Sequence, residues 1–470
     1  MSHKSENRNP ESNKSFSTLA LEKDFLNNLQ SLGYLEMTDV QSESLPHIFR
    51  GKDVIVKAKT GSGKTIAFGI GLLSKLNPKH FSTQALILCP TRELADQVAK
   101  EIRKLARAIP NTKVLTLCGG TPFGPQVGSL ERGAHIVVGT PGRLLDHLRK
   151  GTLKLERVRT LVFDEADRML DMGFHDSMLD IVATTPKERQ TLLFSATYPD
   201  TIKQLSRSFQ NKPVDITVES IHEESTIEQL FFEIKKHERN QTLVQLLAHY
   251  QPTSTVIFCN TKRQCQDVAD HLKEHGVHAL AIHGDLEQKD RDQVLVRFSN
   301  KSCSVLVATD VAARGLDIKD IQAVINYEIS RDPEVHIHRI GRTGRAGSKG
   351  LALSIFTPSE AYKVNAIEDY QKQAAICDVP ESLNPTSHYE NTPPMVTLQI
   401  DGGKKSKIRP GDILGALTGD AGIPGDKVGK IDIQNFHSYV AIERSMANTA
   451  FKKLSAGKIK GRSVKLRKLK

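Results

Sequence analysis

The sequence predicts an α/β protein, with two tandem domains built on parallel sheets and a small α+β domain at the end. Three observations predict it. Short runs rich in Val, Ile and Leu alternate with helical patterns along residues 54–356, as parallel sheets with crossover helices require. The alternation occurs twice, interrupted by a polar joint at 219–225. Near residue 395 both rhythm and charge change: the last 76 residues hold 16 Lys and Arg against 6 Asp and Glu, and the rest of the chain holds 49 against 48.

In chain order, residues 1–15 are polar, lack an apolar signal segment and read as a disordered lead-in. The first domain spans 16–218, with strands expected at 54–58, 85–89, 114–117, 136–139, 161–164 and 191–195. The second spans 219–378, with strands expected at 230–234, 255–259, 279–283, 304–309, 323–327 and 352–356. Residues 379–394 carry Pro380, Pro385, Pro393 and Pro394 among few apolar side chains and read as a linker. In 395–470 the runs 396–400, 410–417, 429–433, 438–442, 446–454 and 463–466 follow a β-α-β-β-α-β order, the split βαβ arrangement.

Composition narrows the function. No apolar run approaches the roughly 20 residues of a membrane span, so no membrane partner is expected. The six cysteines form no C-x-x-C pair and several lie in apolar runs. They read as buried, reduced thiols of a cytoplasmic protein rather than zinc ligands. Positive charge concentrated in one terminal domain points to a polyanionic partner.

The residues that carry chemistry begin with Ala58-Lys59-Thr60-Gly61-Ser62-Gly63-Lys64-Thr65, between a strand and a helical pattern. Glycines let backbone N–H groups wrap phosphate oxygens, Lys64 reaches the β and γ phosphates of ATP, and the Thr65 hydroxyl suits magnesium. Ala58 stands where the strict pattern has glycine, and a small residue still fits the turn. The run Asp164-Glu165-Ala166-Asp167 follows an apolar strand. Asp164 suits magnesium, through water, and Glu165 suits positioning or deprotonating the attacking water. Upstream, the Gln41 amide could meet the N6/N7 edge of adenine, and Phe16 could stack on the base. The run His338-Arg339-Ile340-Gly341-Arg342-Thr343-Gly344-Arg345 holds three arginines in eight residues. That density is unusual for a core helix and suits a phosphoryl clamp.

Together with Pro90-Thr91-Arg92-Glu93-Leu94, Gly119-Gly120, Thr140-Pro141-Gly142-Arg143, Ser195-Ala196-Thr197, His283-Gly284-Asp285 and the run 309–317, these stretches resemble the DEAD-box RNA helicases over residues 16–375. The resemblance implies two RecA-like domains with ATP, magnesium and RNA bound across their cleft. It implies that Gly315 and Asp317 meet the nucleotide and that Arg342 and Arg345 reach the γ-phosphate, Arg345 as the finger. Ser195, Thr197 and His338 would couple nucleotide state to strand separation. Thr91, Arg92, Gly120, Thr140, Arg143, Gly284, Gln288, Arg291 and Thr309 would line the RNA path. The final domain, through the stretches 397–405, 408–414 and 438–444, resembles the RRM-like end domain of the DbpA branch of that family. This implies binding to a hairpin of 23S rRNA with nearby duplex, and action on 50S assembly intermediates.

RRM-like domains stack bases on sheet aromatics, but here His437 and Ile442 occupy two places where aromatics are expected. Tyr439 is either a stacking residue or core. The favoured contacts are therefore Lys404, Lys405, Lys407, Arg409, Lys465, Arg467 and Lys468. The expected activity is RNA-dependent ATP hydrolysis that separates short duplexes, by a monomer. The alternative is an ATP-gated clamp or scaffold on rRNA, which the motifs do not separate from the first reading.

Overall fold

Seven short strands form the first sheet: β1 Val54–Lys57, β2 Ala85–Leu88, β3 Val114–Leu117, β4 Ile136–Gly139, β5 Thr160–Asp164, β6 Gln190–Ser195 and β7 Val214–Thr217. The computed structural model describes residues 14–58, 61–198, 200–218, 227–313, 321–344, 349–384 and 392–469, and the chain divides into two units, 1–221 and 222–470. In the first unit the strand order is β3-β4-β2-β5-β6-β1-β7 and every pair is parallel. Helices cover both faces, so β2, β4, β5 and β6 are buried at every position; β2 reads as an unbroken apolar run, and β5 and β6 have apolar centres with polar ends. Successive residues serve opposite cores: Val54 and Val56 join one, Ile55 the other.

The helix Arg92–Leu105 shows how local sequence fixes an element. Thr91 caps it, accepting from the Leu94 N–H at 3.3 Å. Leu94, Ala95, Val98, Ala99, Ile102 and Leu105 recur at helical spacing and are buried, and Arg103 and Lys104 sit in the last turn, at the negative end of the helix. The cap leaves Thr91 and Arg92 at the carboxyl end of β2.

The second unit repeats this topology. Its strands β8 Ile227–Glu233, β9 Thr255–Cys259, β10 Ala279–Ile282, β11 Val305–Thr309, β12 Ala323–Asn326, β13 Gly350–Phe356 and β14 Cys377–Asp378 run in the order β10-β11-β9-β12-β13-β8-β14. Position by position this is the first sheet again, with β8 as the counterpart of β1. After β8 the chain reads Ile234-Lys235-Lys236-His237, without the glycines that would wrap a phosphate.

The last strands, β15 Met395–Asp401, β16 Val428–Ile433, β17 His437–Glu443 and β18 Leu466–Lys468, form an antiparallel sheet in the order β16-β17-β15-β18. Leu398, Ile400, Val440 and Ile442 face the core built with Ile413, Leu417, Ala450 and Leu454. Thr397, Gln399, Tyr439 and Ala441 alternate to the other face, which RRM-like domains leave open, yet each is at most 4% exposed. The turn 299–302 of the preceding domain is seated there. Ser302 Oγ lies 2.6 Å from Thr397 Oγ1, Asn300 Nδ2 donates to Thr397 Oγ1 at 3.2 Å, and Met395 N–H donates to the Lys301 carbonyl at 3.2 Å. Lys430 Nζ adds a bond to Ser299 Oγ at 2.6 Å. The end domain is therefore in contact with the turn 299–302 of the domain before it. Among the described residues no helix is long and apolar enough to cross a membrane.

Candidate active site

Because β5, β6 and β1 are neighbours and parallel, their carboxyl ends deliver three motifs to one edge of the first sheet. From β1 comes the phosphate loop. Gly63 has φ +91 and precedes the helix Lys64–Leu73, and a Cβ there would press on Gln41 Nε2 at 2.5 Å. Lys64 is 7% exposed and donates from Nζ to the Ala58 carbonyl at 2.6 Å. Burial lowers its pKa, opposed by the charges of Asp164 and Glu165. Thr65 is half-buried. Lys59 and Thr60 lie outside the described residues.

From β5 comes the acidic run. Burial first, and then the Glu165 charge, push Asp164 up to about 7, with Lys64 opposing. Glu165 sits in the left-handed region at φ 55 and ψ 52, a strained place for a non-glycine residue, and Arg168 Nη1 holds its Oε2 at 2.8 Å. From β6 comes Ser195. Asp167 joins the two strands: its N–H donates to Ser195 Oγ at 3.3 Å, and its Oδ2 accepts from both the N–H and the hydroxyl of Thr197 at 3.0 Å. The sequence pattern points to the first two acids and gives no role to Asp167 and Arg168. Their place within the same acidic turn was the available signal.

Gln41 is brought to the loop through a capping box with Thr38. Its Oε1 accepts from the Thr38 N–H at 3.0 Å and its Nε2 donates to the Gly63 carbonyl at 3.2 Å, while Thr38 Oγ1 donates to the Ser62 carbonyl at 2.8 Å. The pair braces the phosphate loop. Phe16 is 4% exposed and packs in the core with Phe25 and Met37.

The carboxyl ends of β2, β3 and β4 occupy the other half of the same edge. They carry Thr91 and Arg92, Gly120, and Thr140 and Arg143. Gly120 packs directly against the Arg92 guanidinium. Arg143 donates to the Thr121 carbonyl at 3.1 Å. In the second unit β10 leads to Gly284, β11 ends in Thr309, and Gln288 and Arg291 lie on the helix Gln288–Ser299. Lys262 and Asp285 pair beside Gly284 at 2.6 Å. Gly315, Asp317 and Arg345 lie outside the described residues.

Arg339 and Arg342 of the run 338–345 differ in their surroundings. Arg339 is 1% exposed and is core. It binds Asp310 Oδ1 and Oδ2 at 2.7 and 2.8 Å, Asn260 Oδ1 at 2.9 Å, Asn326 Oδ1 at 3.2 Å and the Glu328 carbonyl at 2.7 Å. It thus ties the ends of β9, β11 and β12 to the helix Pro333–Ile340. High arginine density suits a clamp, but this guanidinium is fully committed to the fold. His338 is half-buried on that helix, and Arg342, 8% exposed, follows its end.

Comparison with known proteins gives this geometry a family. The DEAD/DEAH box helicase family matches residues 38–205, the helicase conserved C-terminal domain 238–347, and the DbpA RNA binding domain 397–468. ATP-dependent RNA helicase DbpA of Escherichia coli is 56% identical over 456 residues, covering 97% of this chain and 99% of that protein. The chain belongs to the DbpA family of DEAD-box RNA helicases. The Bacillus subtilis DbpA is 39% identical over 96% of the chain and 99% of its own length. Among solved structures, S. cerevisiae Dbp5 bound to RNA and ADP BeF3 aligns with a TM-score of 0.72 at 29% identity, over 78% of this chain and 96% of that one. The helicase is therefore an ATP-hydrolysing enzyme with RNA as its partner, and its two parallel sheets are RecA-like domains.

In this DEAD-box helicase the end domain exposes Lys404, Lys405, Lys407, Arg409, Lys465 and Arg467, with Lys468 half-buried. Arg467 is held by Gln399 Oε1 at 2.6 and 2.8 Å, and Lys468 lies over the Phe451 ring at 5.1 Å. Tyr439, 2% exposed beneath the covered sheet face, has no open ring to offer a base. Of its two readings, core is the one its burial fits.

Proposed function

We propose that the protein hydrolyses ATP in response to RNA and locally separates short RNA duplexes. We further infer that its end domain directs it to a hairpin of 23S rRNA during assembly of the 50S subunit. The observation that carries the reading is the Asp167 bridge. The acidic turn that presents Asp164 and Glu165 also grips Ser195 and Thr197, so a change at the phosphates is felt on the next strand.

ATP would lie on the loop 58–65 with Lys64 against its β and γ phosphates. The donors Thr65 and Asp164 are hard oxygens that fit magnesium, which when bound neutralises phosphate charge. Asp164 fits for a second reason: burial makes its carboxylate costly until a cation shares the site. Glu165, aimed by Arg168, would orient or deprotonate the attacking water. Gln41 keeps one amide N–H free of the Gly63 bond with which to read adenine; Gly315 and Asp317 would take the ribose side.

Thr91, Arg92, Gly120, Thr140, Arg143, Gly284, Gln288, Arg291 and Thr309 would grip the RNA, mainly through its backbone. RNA would draw Arg342 and Arg345 onto the γ-phosphate, with Ser195, Thr197 and His338 passing the signal. The reading takes the protein as a cytoplasmic monomer. Arg345→Ala tests it. ATP binding should persist while RNA-stimulated hydrolysis falls on the order of 10³–10⁵-fold. Near-normal stimulated turnover in that variant would refute the closure mechanism.

A further inference from the structure

The end domain has three aromatic side chains besides its histidine: Phe436, Tyr439 and Phe451. Tyr439 is buried, and Phe451 is half-buried under Lys468. Phe436 is 67% exposed at the tip of the hairpin between β16 and β17. That turn is closed by the Gln434 N–H donating to the His437 carbonyl at 2.8 Å.

The tip is fastened to the lysine loop. Lys404 N–H donates to the Gln434 carbonyl at 2.8 Å and Lys405 N–H to the Asn435 carbonyl at 3.0 Å. Gly403 permits this approach, because a Cβ there would collide with the Gln434 carbonyl oxygen. Two lysines are therefore pinned beside the residues immediately before the exposed ring. Lys407 follows at φ 57, and its carbonyl accepts from Lys460 Nζ at 2.6 Å, bringing a fourth cation to the loop. Of the flanking acids, Asp412 lies 3.6 Å from Lys460, and Asp401 Oδ1 lies 3.0 Å from His437 Nδ1.

An open aromatic face beside lysines whose backbone is anchored is the arrangement that takes a single-stranded nucleotide: the ring stacks on the base and the ammoniums hold the phosphates. We propose that Phe436 stacks on an unpaired base of the RNA that the end domain binds, with Lys404, Lys405 and Lys407 on the adjoining phosphates. This moves base stacking from the covered sheet face to the hairpin tip. It rests on the reading that the end domain recognises structured RNA, and it adds the residue that touches a base.

The test uses the full-length protein and measures affinity for a 23S rRNA hairpin and for a scrambled-loop hairpin at fixed salt. Phe436→Ala should weaken hairpin binding about 5- to 100-fold, and Phe436→Trp should restore it. Replacing loop nucleotides one at a time by abasic residues should reveal one position at which wild type and Phe436→Ala become equal. Because Phe436 is exposed, both variants should melt with the wild type, which separates a lost contact from a lost fold. If Phe436→Ala binds every RNA as wild type does, the proposal is overturned and the ring is left for a protein partner. If the wild type binds the two hairpins equally, the rRNA address itself fails, whatever Phe436 does.

Discussion

At the scale of single residues, the arrangement turns on Asp167. Its carboxylate makes two hydrogen bonds to Thr197, and its N–H a third to Ser195. Hydrogen bonds to a charged group contribute about 1.5–3 kcal/mol. Asp167→Asn should therefore cut RNA-stimulated turnover by roughly 10- to 100-fold while nucleotide affinity stays within about 2-fold. Steady-state hydrolysis beside fluorescent-nucleotide binding checks this, and unchanged turnover would make the bridge idle. Lys64, Asp164 and Glu165 were legible in the sequence because a glycine loop and a strand-ending acidic pair are local patterns. The roles of Asp167 and Arg339 were not, because they depend on which strands lie side by side. Tyr439 was ambiguous for a similar reason: its sheet face is met by the preceding domain, where Asn300 bonds to Thr397, 97 residues on.

At the scale of elements, central strands were legible because both faces are apolar. Of the edge strands, β3 and β10 were legible too, but β7 and β14 were not: β7 alternates Val-Asp-Ile-Thr and β14 is two residues long. The helix Pro333–Ile340 carries a consequence for pH. His336 is 1% exposed, stacked on Phe231 at 5.7 Å, with Asn326 Nδ2 3.4 Å from its Nδ1. Burial, and then the Arg339 charge, lower its pKa to about 3. The unfolded chain, near the ordinary 6.5, therefore takes up the proton first. Stability is complete above 6.5 and falls as pH drops toward about 3, with about 2 kcal/mol lost by pH 5. Hydrogen exchange in this helix should accelerate from pH 7 to 5, after correction for the intrinsic rate, and His336→Gln should remove that dependence. An equal pH response in both proteins would contradict the assignment.

At the scale of the whole molecule, positive charge and catalysis are separated: the basic excess lies in the last 76 residues and the nucleotide loop in the first unit. Deleting 395–470 should leave RNA-stimulated hydrolysis on arbitrary RNA but abolish any preference for the rRNA hairpin. It should also uncover Asn300 and Ser302 and loosen the turn between them, because both are bonded to Thr397. Hydrolysis assays of the truncated protein on both RNAs check the first outcome, and proteolysis near 299–302 the second. A retained hairpin preference would place the address in the core instead.

The central claim is that chemistry in the first unit waits for arginines that only RNA brings to it. The most direct measurement is the ATP hydrolysis rate of the purified full-length protein with no nucleic acid, with arbitrary RNA and with the 23S rRNA hairpin bearing adjoining duplex. The account predicts near-background turnover alone and strong stimulation by RNA, greatest with the rRNA fragment. Equal turnover with and without RNA would contradict it.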